Sequence, residues 1–298
     1  RTKKEHLEAM LNSVSRQSYP HWELIVADAG GTAESVQAWA KKNGICLREA
    51  ADASNLAEWK DQSIVLCTLS ENKGISANTN AGIELAAGDA VGLLDHDDLL
   101  TANALWEMAD CLEKEKKRGK QKLVLFSDED KCDKAASRFY EPNFKPDFDG
   151  EMLLTNNYIC HFTVIETAFL KELKLRSGFD GAQDYDLMLR AYAAGGQFVH
   201  VPKVLYHWRC HEASTASNPQ SKRYAYEAGQ RALEDYCLRK GWKATVSGLK
   251  HLGFYREDYE DSVFCQRPEI GIWAKPLPGG RDVFGIRHPK GFLVSGLY

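Results

Sequence analysis

The sequence predicts an α/β fold built on a mixed, mostly parallel sheet flanked by helices. Three observations carry this. Short apolar runs alternate with helical patterns through the first half of the chain. One of those runs, Asp89 to Asp95, is apolar almost throughout, the mark of a strand covered on both faces. Acidic residues gather where the runs end, at Asp28, at Asp95-His96-Asp97-Asp98 and at Asp128-Glu129-Asp130. That is the edge at which open α/β sheets bind their ligands.

Taken in order, Leu7, Met10, Leu11 and Val14 fall at three-to-four spacing and give a first helix one apolar face. Glu23 to Asp28 reads as a strand, Glu34 to Asn43 as a helix stopped by Gly44, and Ile64 to Leu69 as a strand. Gly74 to Ala87 reads as a helix ended by Gly88. After the Asp89 to Asp95 strand, Thr101 is placed to cap a helix running to about Lys117. Leu123 to Phe126 follows as a strand. The second half is more mixed. Phe139 to Asp149 is a Pro-rich, aromatic connection, and Ile159 to Ile165 a strand. Asp184 to Ala194 is a helix closed by Gly195-Gly196. Phe198 to Val201 and Val204 to Trp208 are two strands around Pro202, and Lys222 to Lys240 is a long helix. The pattern of this first domain runs from residue 1 to 255. Arg267 to Trp273 and Gly291 to Tyr298 look like strands of a further module spanning 256 to 298.

Composition narrows the function. The chain has 298 residues, a formal net charge of -4 and a pI near 6.2, which speaks against a nucleic-acid partner. The basic run Lys114 to Lys122 reads as a solvated helix end. Its sharper alternative is peripheral contact with anionic lipid headgroups at the inner face of a membrane. The eight cysteines form no C-x-x-C pair and sit mostly in apolar runs, the usage of reduced thiols in a cytoplasmic protein. No apolar run reaches the roughly 18 residues that span a bilayer.

Two Asp one residue apart after a buried strand offer hard oxygen ligands of the kind Mg²⁺ or Mn²⁺ prefers. The plainer reading is turn formation and helix capping. Asp184 and Asp186 open a helix, where capping is the plain reading and proton transfer the sharper one. Arg209 and His211 follow a strand. They suit a diphosphate and a metal, or equally a surface cation and a core imidazole.

Together these segments resemble the family 2 glycosyltransferases, which have the GT-A fold, and in particular the bacterial branch that builds O-antigen, capsule and other surface polysaccharides. The resemblance lies in Tyr19 to Asp28, Asn72-Lys-Gly-Ile-Ser-Ala-Asn-Thr-Asn-Ala-Gly82, Gly88 to Leu100 with its D-x-D, and Phe126-Ser-Asp-Glu-Asp-Lys131. It continues in Gly178-Phe-Asp-Gly-Ala-Gln-Asp-Tyr-Asp-Leu187 and His200 to His211. These stand in the family's order and spacing and cover roughly residues 1 to 245.

The resemblance implies an inverting transferase that moves a sugar from a nucleotide-diphosphate donor, UDP-linked by analogy, to a hydroxyl of a glycan or lipid-linked acceptor. It implies that Asp28 contacts the nucleotide base and that Asn80 belongs to the donor site. Asp97 would ligate a divalent metal, with Asp95 on the ribose or on a metal-bound water. Asp184 would be the general base. Arg209, His211 and Ser214 would close over the diphosphate, with His211 reaching the metal. Three departures stand out. The family's first strand precedes Arg1, so the sheet is expected to lack it. Ala29-Gly30-Gly31 and Thr79 replace the family's usual Asp-Gly-Ser and Arg. A phosphatase of the haloacid-dehalogenase type also carries D-x-D after a buried strand, but near the start of its domain and followed by Thr or Val rather than Asp98-Leu99. A nucleotidyltransferase would open with a Gly-rich phosphate loop. A non-catalytic carbohydrate-binding domain would not need Asp95, Asp97, Asp184 and His211.

Overall fold

The computed structural model describes residues 3–50, 60–210 and 223–260. Helix α1 (Lys4–Ser15) buries Leu7, Met10, Leu11 and Val14, the face that the spacing predicts. Strand β1 (Glu23–Asp28) leads into α2 (Ala33–Asn43). Gly44 stops α2 with φ 67°, a left-handed conformation that costs glycine nothing. Strands β2 (Cys46–Ala50) and β3 (Ser63–Thr68) follow, then α3 (Ile75–Leu85), β4 (Ala90–Leu93), β5 (Leu99–Leu100) and α4 (Ala104–Lys117). Thr101 does not cap α4 through its side chain. Asn103 holds the cap position, and the Thr101 hydroxyl bonds the Asn103 side chain instead. The basic run ends α4 and is largely ion-paired, with Lys114 on Asp110, Lys117 on Glu113, and Arg118 and Lys120 on Glu115.

The second half holds β6 (Leu123–Cys132), β7 (Phe139–Asn143), α5 (Gly150–Thr155), β8 (Thr163–Glu166) and α6 (Thr167–Leu173). A 3₁₀ turn at Ser177–Phe179 leads to α7 (Gln183–Ala193), β9 (Gln197–Arg209), α8 (Arg223–Arg239), β10 (Ala244–Gly248) and β11 (Tyr255–Tyr259). The two strands expected around Pro202 are one. β9 runs through the proline, and its register against β6 jumps from Ser127↔Val201 to Asp128↔Val204. The irregularity places Pro202, which has no N–H to donate, outside the ladder. β11 pairs with β10 and continues to Tyr259, past the boundary read at 255. The strands expected within 267 to 298 lie outside the described residues.

The sheet is mixed. β1-β3-β2 is wholly parallel, while β4-β8-β6-β9-β5 is antiparallel except for the long β6–β9 pair, and β7 adds to β6. The parallel part is smaller than the sequence predicts because β8 enters between β4 and β6 in the opposite direction. β6 is the spine. Val124 and Phe126 face the core formed with α7 and α8, and Leu125 faces the core formed with α1 and α4. β4 departs from expectation. Its residues are half-buried to exposed rather than covered on both faces, because one of its edges borders a cavity instead of a strand.

Candidate active site

The acidic tetrad leaves β4 as a turn closed by the Asp98 amide on the Asp95 carbonyl at 3.2 Å. The turn sorts its carboxylates. Asp95 is exposed and Asp97 half-buried, both open to a ligand. Asp98 is 1% exposed and accepts from the Tyr206 hydroxyl at 2.6 Å and from the Arg209 amide at 2.7 Å. Burial, then the nearby Asp95 charge, pushes the Asp98 carboxyl up to about 7. Asp98 therefore braces the turn, as its position ahead of a helix suggests. His96 is exposed, with Nδ1 3.5 Å from the Asp97 carboxylate.

Arg209 stands differently from its expected role. It is 2% exposed, donates Nε to the Asp97 carbonyl and Nη1 to the Lys134 carbonyl, and leaves a buried Nη2 without a partner. The guanidinium clamps the backbone that carries Asp97. Asp28 is 5% exposed, and its carboxylate accepts from the amides of Gly30, Thr32 and Ala33 and from the Thr32 hydroxyl. Burial raises its pKa, but these donors outweigh burial and hold it below the usual carboxylate range. Asp28 thus braces the start of α2 while still lining the cavity at the end of β1. Asn80 bonds the amide and carbonyl of Leu175 through both ends of its side chain, each at 2.8 Å. His211 and Ser214 lie outside the described residues.

Asp184 opens α7, as expected of the first helical turn. It does not cap the helix in the usual manner. Oδ1 accepts from the neighbouring Tyr185 amide at 2.8 Å and Oδ2 from the Asn157 side-chain amide at 3.1 Å. The carboxyl is half-exposed at its surface yet enclosed by protein on nearly every side. Burial raises its pKa, the Asp95 charge adds to the rise, and His161 and the Tyr185 amide oppose it.

His161 is the residue that sequence reading missed. It fell in the interior of an expected strand, Ile159 to Ile165, but β8 begins only at Thr163, so His161 sits in the turn ahead of it. Its ring stacks on Tyr206 with centroids 5.1 Å apart. Its amide donates to the Glu129 carboxylate, and its carbonyl accepts from the buried Lys145 ammonium. Burial pulls the imidazole pKa down, but Asp95, Glu129, Asp184 and Asp98 together push it up. The electrostatic environment thus links Asp95 of the β4 turn with Asp184 of α7 through one imidazole. The chain signal was faint: a lone His beside Phe162 in an apolar run.

Among the described residues no three His, Cys, Asp or Glu side chains converge as a metal cage. The donor set still suits Mg²⁺ or Mn²⁺. Such ions take one or two carboxylates and complete their shell with phosphate oxygens and water, and Asp95 and Asp97 are the two accessible carboxylates of the turn.

A model of the family described as glycosyl transferase family 2 matches residues 2–173. The chain belongs to glycosyl transferase family 2. "Uncharacterized protein y4gI" of Sinorhizobium fredii is 36% identical over 241 residues, 80% of this chain and 24% of that protein. The O-antigen biosynthesis protein RfbC of Myxococcus xanthus is 34% identical over 242 residues, 81% of this chain and 18% of that protein. The chain therefore spans a quarter or less of these two curated relatives. The solved structure of S. aureus TarS residues 1–349 superposes with a TM-score of 0.55 at 18% identity, covering 80% of this chain and 63% of TarS. TarS has also been solved in complex with UDP. At that identity the likeness establishes the GT-A fold, and the mixed sheet of this family 2 chain is that fold. No helix among the described residues is long and apolar enough to cross a membrane.

Proposed function

We propose that this family 2 domain transfers a sugar, with inversion, from a UDP-sugar to a hydroxyl of a glycan or lipid-linked acceptor in surface-polysaccharide synthesis. The observation that carries the reading is the pairing of Asp184 with Asp95 around His161. A shielded carboxyl with a raised pKa faces an accessible carboxylate turn at the end of β4. Glycosyl transfer by single displacement needs a base on one side of the sugar and charge neutralisation on the other. The family, the RfbC relative and the UDP complex of TarS support the donor and the pathway class.

Asp184 takes the acceptor proton as the oxygen attacks. Asn157 and the Tyr185 amide hold its two oxygens in place. His161 moderates its pKa from the side of the donor. Asp95 and Asp97 would hold Mg²⁺ or Mn²⁺, which when bound supplies Lewis-acid neutralisation of the departing diphosphate. Arg209 fixes the Asp97 backbone, and Asp28 at the end of β1 borders the space for the base.

The test is a donor screen on the full-length protein with and without Mn²⁺, scored by nucleotide release in the presence of a glycan acceptor. Release of UDP from one UDP-sugar, dependent on metal and acceptor, is expected. Release of inorganic phosphate from simple esters without nucleotide-sugar turnover would overturn the reading.

A further inference from the structure

The three-stranded and six-stranded sheets stand as neighbours with a gap between them. Among the described residues β1 pairs only with β3, and β4 only with β8. A cavity of about 1470 Å³ separates their free edges, lined by Leu24 to Ala27 on one side and Ala90 to Leu94 on the other. The backbone N–H and C=O groups on those two edges have no ladder partner, which is costly for strands in the middle of a fold.

The geometry specifies what fits. β1 and β4 point the same way. Glu23, at the start of β1, accepts from the amide of Ala87 just ahead of β4 at 3.0 Å, whereas Asp28 and Asp95 meet the cavity at the far ends of both strands. A strand between them is therefore parallel to each. Its two faces are already furnished with apolar cover. Met10 and Val14 of α1 and Met108 of α4 line the cavity on one side, and Gly82 and Ile83 of α3 on the other. A parallel neighbour of β1 also needs a crossover of about a dozen residues, usually a helix. Helix α1, 12 residues long and directly ahead of β1, is that crossover already in place.

We propose that the gap is a strand socket. One extended, apolar segment of about six residues, in the same polypeptide immediately ahead of α1, lies parallel to β1 and β4 and joins the two sheets into one. Its carboxyl end emerges between Asp28 and Asp95, so the residues that follow it border the active site. The proposal rests on sheet geometry and is independent of the sugar-transfer reading.

Hydrogen exchange on the full-length protein tests it directly. The amides of Leu24 to Asp28 and Ala90 to Leu93 are expected to exchange at least about 100-fold slower than exposed loop amides, in the range of the β3 amides. A photo-crosslinking residue at Ile75, which is 46% exposed on the cavity rim, is expected to capture residues ahead of α1 within the same chain. Fast exchange along both edges would overturn the socket. Protected edges with capture of residues 261–298, or of a second copy, would overturn the assigned occupant.

Discussion

At the residue scale the site separates carboxylates that look alike in the sequence. Asp97 and Asp98 are adjacent, yet one is accessible and the other is sealed under Tyr206 and Arg209. The split was legible, because Asp98 leads into a helix whereas the D-x-D pair points outward from a strand end. The role of Arg209 was not legible, since a strand-end arginine before a His reads equally as phosphate ligand or clamp. Burial decides between them, and burial depends on the distant Lys134 and Asp97 carbonyls. Arg209→Ala is expected to lower stability by about 2–4 kcal/mol, because it deletes two buried hydrogen bonds and opens a cavity. Urea unfolding monitored by tryptophan fluorescence measures this. His161 gives a sharper forecast. It lowers the pKa of Asp184, so in His161→Gln that pKa rises further. Asp184 works as a base only when ionised. The acid limb of the kcat profile already lies above the ordinary carboxylate value near 3.9, and in the variant it moves to higher pH. An unmoved limb would detach His161 from the base.

At the scale of elements, most strands and helices were readable and their misreadings have physical causes. The α1 face, the α2 stop at Gly44 and the α7 start follow from spacing and turn chemistry. The split of β9 at Pro202 was wrong because a register irregularity lets a proline pass through a strand. The Asp89 to Asp95 strand was read as covered on both faces, and its composition is indeed that of such a strand. Its exposure reflects the open edge beside it. Asp28 works at this scale, tying β1 to the first turn of α2 through four donor groups. Asp28→Ala is expected to cost about 1–2 kcal/mol at pH 7, as loss of a helix-start acceptor does. The folded-state pKa is lowered, so the contribution is complete above the unfolded value near 3.9 and fades as pH falls through the folded value. The difference between wild type and variant in urea midpoints should therefore shrink toward pH 2. A constant difference would show that the carboxylate charge is not what stabilises α2.

For the whole molecule, two cores share one strand. Leu125 and Phe126 are neighbours on β6, both fully buried, and face opposite cores. Leu125→Ala should cost about 2–5 kcal/mol and Phe126→Ala about 3–5 kcal/mol. A single cooperative transition for both variants would show that the cores fold as one unit, and separate transitions would show that β6 joins two independent halves. The GT-A fold and the strand-end location of the site were both open to sequence reading, since apolar alternation and carboxylate placement are local signals. The convergence of Asp184 on Asp95 was not. It needs α7 to return to the end of β4 across the sheet, and no spacing along the chain encodes that.

The central claim is that Asp184 is the base of a sugar transfer supported by Asp95 and Asp97. Steady-state kinetics of Asp184→Asn in the full-length protein tests it most directly, with the preferred nucleotide sugar and acceptor and with Mn²⁺ saturating. The account predicts that kcat falls about 10²–10⁴-fold while the donor KM changes little, because Asn keeps the shape and the Tyr185 amide contact but cannot take the proton. Full transfer by Asp184→Asn would contradict it.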